Sequence, residues 1–326
     1  MATVGMNDKT GQPIRVWALL GPHRGDNNQV LALAEALGLP FEAKPLRYNH
    51  WRHLKPRLLG SSLRSLEKDS RASVDGEPPD LTISTGHRSV PVVQLLRRRS
   101  AEVRSVHIGY PRIAPDRFDL VVATPEYPVP DGARVMRIPF ALTRKNDAAP
   151  FRGGARPLRL LILGGPTLYW RFDPKLVGGA VSKLLNAAAR DGGSVMVVAS
   201  PRTPASCLDE VTGAPTVRPG ESPGYASLLA GADELFVTAD SVAMVSDAIA
   251  TGKPVGLIAI EPTAMGRAYM ATLPPGTRMR PRDLRFFWKT LADRQLTGTL
   301  DEPRAGAPPD INALVAERVR GLLRPE

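Results

Sequence analysis

What most constrains this chain is a pattern that begins twice. Short runs rich in Val, Ile and Leu alternate with longer stretches of helical spacing over residues 14–138, and the alternation restarts at residue 158. βαβ units produce such alternation. Most strand runs are apolar throughout rather than at every second residue, as in parallel sheets covered on both faces. The first series predicts strands at 14–20, 81–84, 104–108, 119–123 and 134–138, with helices at 27–37, 55–66 and 89–99. The second predicts strands at 158–163, 194–199, 234–238 and 254–260, with helices at 173–190, 225–230 and 241–251. The fold class that follows is α/β, with two Rossmann-like domains built on parallel sheets.

The length, 326 residues, suits two domains. The stretch 145–157 is rich in Ala, Gly, Pro and charge and reads as the joint between them. The expected division is an N-terminal domain at 1–145, a linker at 146–157 and a C-terminal domain at 158–326. Ile311, Leu314, Val315, Val319 and Leu322 form the apolar stripe of a last helix. Packing of that helix back toward the N-terminal domain is one option.

Charge narrows the partners. The formal net charge is +11, and much of the excess lies between Lys44 and Arg104, including Arg47, Arg52, Lys55, Arg57, Arg64 and Arg97-Arg98-Arg99. Such a balance favours phosphate groups, an anionic membrane surface or nucleic acid, unless it is a solvated basic face. Nucleic acid is disfavoured, because no reading motif or aromatic-interleaved basic segment occurs. The single cysteine, Cys207, excludes a disulfide framework and a Cys-based metal cluster. With no leader-like or membrane-length apolar run, a cytoplasmic location is expected, with any membrane contact peripheral and on the inner face.

In open parallel sheets ligands bind beyond the carboxyl ends of the strands, so the residues after each strand are the candidates. After the first strand comes Gly21-Pro22-His23-Arg24-Gly25-Asp26-Asn27-Asn28-Gln29, with Asp26 or Asn27 as the expected helix cap and Gln29 facing the site. Thr85-Gly86-His87-Arg88 follows the second predicted strand, and His87 there could act on a phosphate or as an acid or base. Gly164-Gly165-Pro166-Thr167 is a weak phosphate-cradle pattern, neither a Walker A nor a GxGxxG sequence. Ser200, Arg202 and Thr203 follow the next strand, where the Arg fork suits an anion. The densest cluster is Thr238-Ala239-Asp240-Ser241, opening a helix that carries Asp247 about two turns along. Each has a plain structural reading as a capped turn or a solvent-facing helix residue.

Taken in order, several of these segments resemble the mitochondrial fission protein family of the elongated-mitochondria type. They are Trp17 through Gly25-Asp26-Asn27-Asn28-Gln29 to Leu37-Gly38, Thr85-Gly86-His87, Tyr110-Pro111 with Phe118-Asp119, Gly164-Gly165-Pro166, Ser200-Pro201-Arg202-Thr203-Pro204, Thr238-Ala239-Asp240-Ser241 with Met244–Asp247, and Gly252-Lys253-Pro254-Val255. That family in turn is similar to glycosyltransferases of the GT-B type, whose parallel sheets face each other across a cleft. The resemblance implies that Gly164, Gly165 and Thr167 hold phosphates. It further implies that Thr238, Asp240 and Ser241 line the donor pocket and that Asp247 meets the ribose, beside Ser200, Arg202 and Thr203, which by position could hold a nucleotide's phosphates or ribose. On the acceptor side it implies Gly25, Asn27, Asn28 and Gln29, with Asp26 and His87 as catalytic candidates. Relatives carry a His-Asp pair where this chain reads Thr124-Pro125-Glu126-Tyr127, which bears on catalysis more than on fold.

The expected function is therefore a metal-independent glycosyltransferase using a nucleotide-diphosphate sugar, UDP-type favoured, on a membrane or lipid-linked acceptor. No cofactor is expected, and no Asp-x-Asp metal motif occurs. Two alternatives stand beside it: a non-catalytic membrane adaptor that works through a protein partner, and a sugar-nucleotide epimerase. A dinucleotide dehydrogenase is disfavoured, since no GxGxxG with a following acidic residue occurs.

Overall fold

A computed structural model describes residues 12–274, 276–279 and 282–324. The chain divides into two compact units, one of residues up to Arg144 together with those from Asp310 onward, the other Lys145–Pro309.

The first unit is a six-stranded parallel sheet. Its strands are β1 (Val16–Leu20), β2 (Phe41–Pro45), β3 (Leu81–Thr85), β4 (Arg104–Ile108), β5 (Leu120–Ala123) and β6 (Val135–Arg137), in the spatial order β2-β1-β3-β4-β5-β6. The order reverses between β1 and β3, and their registers, Val16 opposite Leu81 and Ala18 opposite Ile83, set the two following loops side by side. Helices α1 (Arg24–Leu37), α2 (Pro56–Leu59), α3 (Lys68–Ser73) and α4 (Gly86–Arg99) belong to this unit. On one face Trp17, Leu19, Phe118 and Val121 of the sheet and its loops pack with Val90, Val93 and Leu96 of α4.

Three expectations change here. The helix expected at 55–66 is only α2, because Gly60 turns the chain at φ 59° and Ser61–Ser62 follow. Helix α1 starts at Arg24, with His23 and not Asp26 or Asn27 at the cap. Strand β2 was not foreseen: it lies at the edge of the sheet, and its Glu42 and Lys44 break the apolar run.

The second unit holds β7 (Leu158–Leu163), β8 (Trp170–Arg171), β9 (Ser194–Ala199), β10 (Thr216–Val217), β11 (Glu234–Thr238), β12 (Pro254–Ile258), β13 (Glu261–Pro262), β14 (Gly298–Thr299) and β15 (Arg304–Ala305). Its helices are α5 (Pro174–Asp191), α6 (Ala205–Leu208), α7 (Tyr225–Gly231), α8 (Val242–Ala250), α9 (Ala264–Ala271) and α10 (Leu284–Asp293). The main sheet runs β10-β9-β7-β11-β12-β14, all parallel, with β15 antiparallel on β12; β8 and β13 pair separately. Its order reverses at β7, between β9 and β11. Leu161, Leu163, Val195 and Val197 bury one face of the sheet against Val177, Val181 and Leu184 of α5.

The stretch expected as a linker is docked on this unit. Phe151 N–H donates to the Ser227 carbonyl at 3.0 Å, and Asn146 Nδ2 to that of Ala226 at 2.8 Å. The last helix, α11 (Ile311–Leu323), belongs to the first unit, so the second ends at Pro309 rather than running to residue 326. Arg320 Nη2 donates to the Ala36 carbonyl at 2.7 Å, at the open carboxyl end of α1, and Asn312 Nδ2 to that of Thr143 at 2.6 Å. Among the described residues no helix is long and apolar enough to cross a membrane.

Candidate functional site

The reversal point of the second sheet gathers most of the residues singled out there. β7, β9 and β11 are neighbours, so the loops after them, at Gly164-Gly165, Ser200–Thr203 and Thr238–Ser241, adjoin. One buried carboxylate organises them. Asp240 accepts from the Gly165 amide at 2.9 Å, from the Thr238 hydroxyl at 2.8 Å and from Arg202 Nη2 at 3.0 Å. The Gly164 amide donates to Thr238 Oγ1 at 2.8 Å. Ser200 and Thr203 hydroxyls donate to the Gly164 carbonyl at 3.0 and 2.7 Å. Both glycines are buried, and neither is there for a left-handed turn. A Cβ on Gly164 would lie 2.2 Å from the Asp240 carboxylate, and one on Gly165 2.3 Å from the Arg202 carbonyl oxygen. The two amides expected to cradle phosphate thus donate to Thr238 and Asp240.

Thr167 stands apart from this network, accepting from the Trp170 amide at 3.2 Å. The helix after it, α5, begins only at Pro174, and its cap Asp173 already accepts from the Lys175 amide at 3.0 Å. Ser241 caps α8. Asp247, farther along α8, is half-buried, and its partner is the Tyr225 hydroxyl at 3.3 Å. Burial pushes its carboxyl up to about 6 against the lowering effect of the bond from Tyr225, and Tyr225 itself is raised well above its ordinary value by burial and by Asp247.

Sequence reasoning passed over three residues here. Tyr225 was read only as a helix start. Trp288 donates from Nε1 to the Ala239 carbonyl at 2.9 Å and packs edge-on against Trp170. Lys253, noted only within the family resemblance, donates from Nζ to the carbonyls of Leu229, Ala230 and Ala232 at 3.0, 2.6 and 2.6 Å, closing the end of α7. The amphipathic spacing of Leu284, Phe287 and Leu291 was the available signal for the helix that carries Trp288.

In the first unit, Asp26 and Gln29 line a recess at the carboxyl edge with Thr85, Gly109, Thr124 and Tyr127, with room for about one water molecule. Asn27 turns back instead: its Oδ1 accepts from the Gly21 amide at 2.8 Å and its Nδ2 donates to the Gly21 carbonyl at 2.9 Å. Gly25 and Asn28 sit in the first turn of α1. Glu126 is buried and accepts from the Thr124 hydroxyl at 2.8 Å.

His87 opens α4 across from Arg112, whose φ of 60° holds the loop after β4 in an unusual turn. Burial, then Arg112 and Arg88, lower His87 to about 4, so its ring is neutral at pH 7. His107, fully buried behind it and 3.0 Å from the Ser84 hydroxyl through Nδ1, is lowered to about 3 by burial and by His87. Among the described residues no ion pair joins Arg88 or Arg112 to a carboxylate, and Arg88 Nε is buried without a hydrogen bond.

Comparison with known proteins sets this arrangement in a context. The family described as mitochondrial fission ELM1 matches residues 24–317. The mitochondrial fission protein ELM1 of Arabidopsis thaliana is 28% identical over 242 residues, 62% of this chain and 56% of the relative, so the chain spans about half the length of the curated relative it matches. Among solved structures, a Listeria monocytogenes protein provisionally assigned as a UDP-N-acetylglucosamine 2-epimerase superimposes with a TM-score of 0.53 at 13% identity, covering 94% of this chain and 95% of that one. The UDP-GlcNAc 2-epimerase of Methanocaldococcus jannaschii gives 0.50 at 11% identity, covering 95% and 99%. At these identities the likeness is one of fold, the GT-B fold.

Proposed function

The chain belongs to the mitochondrial fission ELM1 family, and from that premise we propose that it is a metal-independent GT-B glycosyltransferase whose second unit binds a UDP-type sugar donor. The observation that carries the reading is Asp247. A half-buried carboxyl held by one neutral phenol, and pushed up to about 6, is poorly compensated by the protein alone. A ribose diol would supply the donors it lacks. Ser241 at the head of α8 and Arg202, half-exposed while it touches Asp240, complete the donor side, with Arg202 turned to the departing diphosphate. The choice of uridine follows the names of the two solved structures, both of which act on a UDP-sugar by name.

In this reading the acceptor hydroxyl loses its proton to Asp26 or His87, its oxygen bonds to the sugar C1, and the C1–O bond to the diphosphate breaks. His87 near 4 is a weak base alone. An anion beside Arg88 and Arg112 would screen both cations and raise it. The acceptor is membrane-borne or lipid-linked, which suits a chain of net charge +11.

One observation favours the adaptor reading instead. The Gly164 and Gly165 amides are already engaged within the chain, so the loop is closed without a phosphate. Thermal melts with UDP, GDP, ADP and CMP separate the two. A nucleotide at about a hundred times its dissociation constant adds roughly 2.7 kcal/mol. UDP is expected to raise the melting temperature, and Asp247→Asn to abolish the rise. No shift with any nucleotide would leave the adaptor reading in its place. Conversion of a UDP-sugar to its epimer without any acceptor would instead make the chain an epimerase.

A further inference from the structure

Between Glu42 and Glu67 the chain carries no acidic residue and six basic ones, Lys44, Arg47, Arg52, Lys55, Arg57 and Arg64. Lys44 is buried beside Glu42; the other five are exposed, and among the described residues none of them forms a salt bridge. This stretch is an excursion between β2 and α3 pinched at its base. Tyr48 bridges to Leu66, and the Asn49 amide donates to the Ser65 carbonyl at 3.0 Å. Asn49 Nδ2 donates to the carbonyls of Arg64 and Leu66 at 2.8 and 3.0 Å, and Arg71 Nε to that of Leu66 at 2.8 Å. Pro56 and Leu59 are buried, so the short helix α2 is seated and the loop shape is set.

What this set loop presents outward is unusual. Leu58 is 71% exposed and Trp51 47% exposed, two of the few large apolar side chains the described residues leave in water. Both lie among the unpaired cations. A solvated basic face has no use for an exposed Leu and Trp. A nucleic-acid surface would use the cations and could stack on Trp51, but an aliphatic Leu58 has no partner there. At a bilayer interface every one of these groups has a place. Trp prefers the headgroup level, an aliphatic side chain enters the acyl boundary, and unpaired Arg and Lys meet anionic headgroups.

We propose that residues 47–64 form the element by which this chain docks on an anionic lipid surface, with Trp51 and Leu58 entering the interface and Arg47, Arg52, Lys55, Arg57 and Arg64 on the headgroups. The inference rests on the membrane half of the proposed function and is independent of the donor half. Because the loop is already shaped, docking orders little new chain.

The test is co-sedimentation of the full chain with phosphatidylcholine vesicles that contain phosphatidylserine, against phosphatidylcholine alone. Binding is expected only with the anionic lipid. It should weaken steeply as ionic strength rises from about 0.1 M to about 1 M, where the Debye length falls from about 10 Å to about 3 Å. Arg52→Ala with Arg57→Ala should lower the partition about thirtyfold. Trp51→Ser with Leu58→Ser, which leaves the charge intact, should lower it about tenfold. Melting curves without lipid should match the parent for both pairs, since the altered side chains are exposed. A blue shift of emission on vesicles, lost in Trp51→Phe, would locate the insertion. Absence of binding to the anionic vesicles overturns the proposal. So does binding that ignores the Trp51/Leu58 pair, and so does stronger retention on duplex DNA or single-stranded RNA at the same salt. The nucleotide melts are unaffected by any of these outcomes.

Discussion

The two sheets reverse their strand order in the same way and carry glycine-bearing loops at the reversal, yet they treat the polar groups there oppositely. In the second unit the Gly165 amide, the Thr238 hydroxyl and the Arg202 guanidinium converge on Asp240, so the loops are latched to one another by a buried carboxylate. In the first unit, Arg88 and Arg112 flank His87 with no carboxylate paired to them among the described residues, and His87 is lowered to about 4 as a result of burial and of both cations. Asn27 ties the loop after β1 back to Gly21. An anion arriving at the first edge would find cations waiting. One arriving at the second would compete with Asp240 for Arg202. The difference teaches that a strand–glycine–helix turn is not one kind of site: a carboxylate placed 75 residues away decides whether it is open or already filled.

The sharpest way to break this comparison is to remove the latch. Asp240→Ala leaves the buried Gly165 N–H without its acceptor and the Thr238 hydroxyl with only the Ile162 carbonyl at 3.5 Å, and an orphaned buried group costs about 1–3 kcal/mol. We expect a loss of about 3 kcal/mol or more in denaturant unfolding. A loss under about 1 kcal/mol for Asp240→Ala would mean the latch is incidental.

The latch was not legible in the sequence, and the reason is physical. The alternation of strand and helix is local, so β1, β3, β4, β7, β9 and β11 follow from runs such as Leu158–Leu163 read by themselves. Local reading fails where tertiary partners decide. Glu42 and Lys44 disguised β2, and Gly60 cut a helix that spacing alone extended to residue 66. The candidate loops could be found because every parallel sheet presents its carboxyl edge to ligands. Which groups in those loops face one another could not. Asp240 looked like a ligand contact because its bond to the Gly165 amide has no sequence signature. Tyr225 passed unnoticed because its only distinction is lying within reach of Asp247.

The glycines give a second, smaller contrast. A Cβ on Gly164 meets the Asp240 carboxylate at 2.2 Å, whereas one on Gly21 meets nothing within 4 Å. Gly164→Ala is therefore expected to cost about 2 kcal/mol and Gly21→Ala less than about 0.5 kcal/mol. The three nearest atoms to the added methyl at Gly164 all belong to Asp240. In the Asp240→Ala background the cost of Gly164→Ala should then nearly vanish, a coupling that a double-mutant cycle reads directly. Additive costs would show that the loop is kept small for some other reason.

Asp247 tests whether the second edge keeps any group for a ligand, and here stability and binding should part. Its folded pKa, about 6, lies above the ordinary carboxyl value of 3.8. The unfolded chain therefore loses its proton first as pH rises. Stability from this group is full below about pH 4, falls between about pH 4 and pH 6, and is flat above. Asn cannot ionise and can still accept from Tyr225, so Asp247→Asn should remove that fall. The variant should nearly match the parent at pH 4 and exceed it by up to about 3 kcal/mol at pH 7, read from urea midpoints at the two pH values. If the same substitution also abolishes the UDP-induced rise in melting temperature, the carboxyl is being kept at a cost to the fold for the sake of a ligand. If the variant gains no stability at pH 7, Asp247 is better solvated than its surroundings suggest. The second edge would then hold no group left over once Asp240 has closed it.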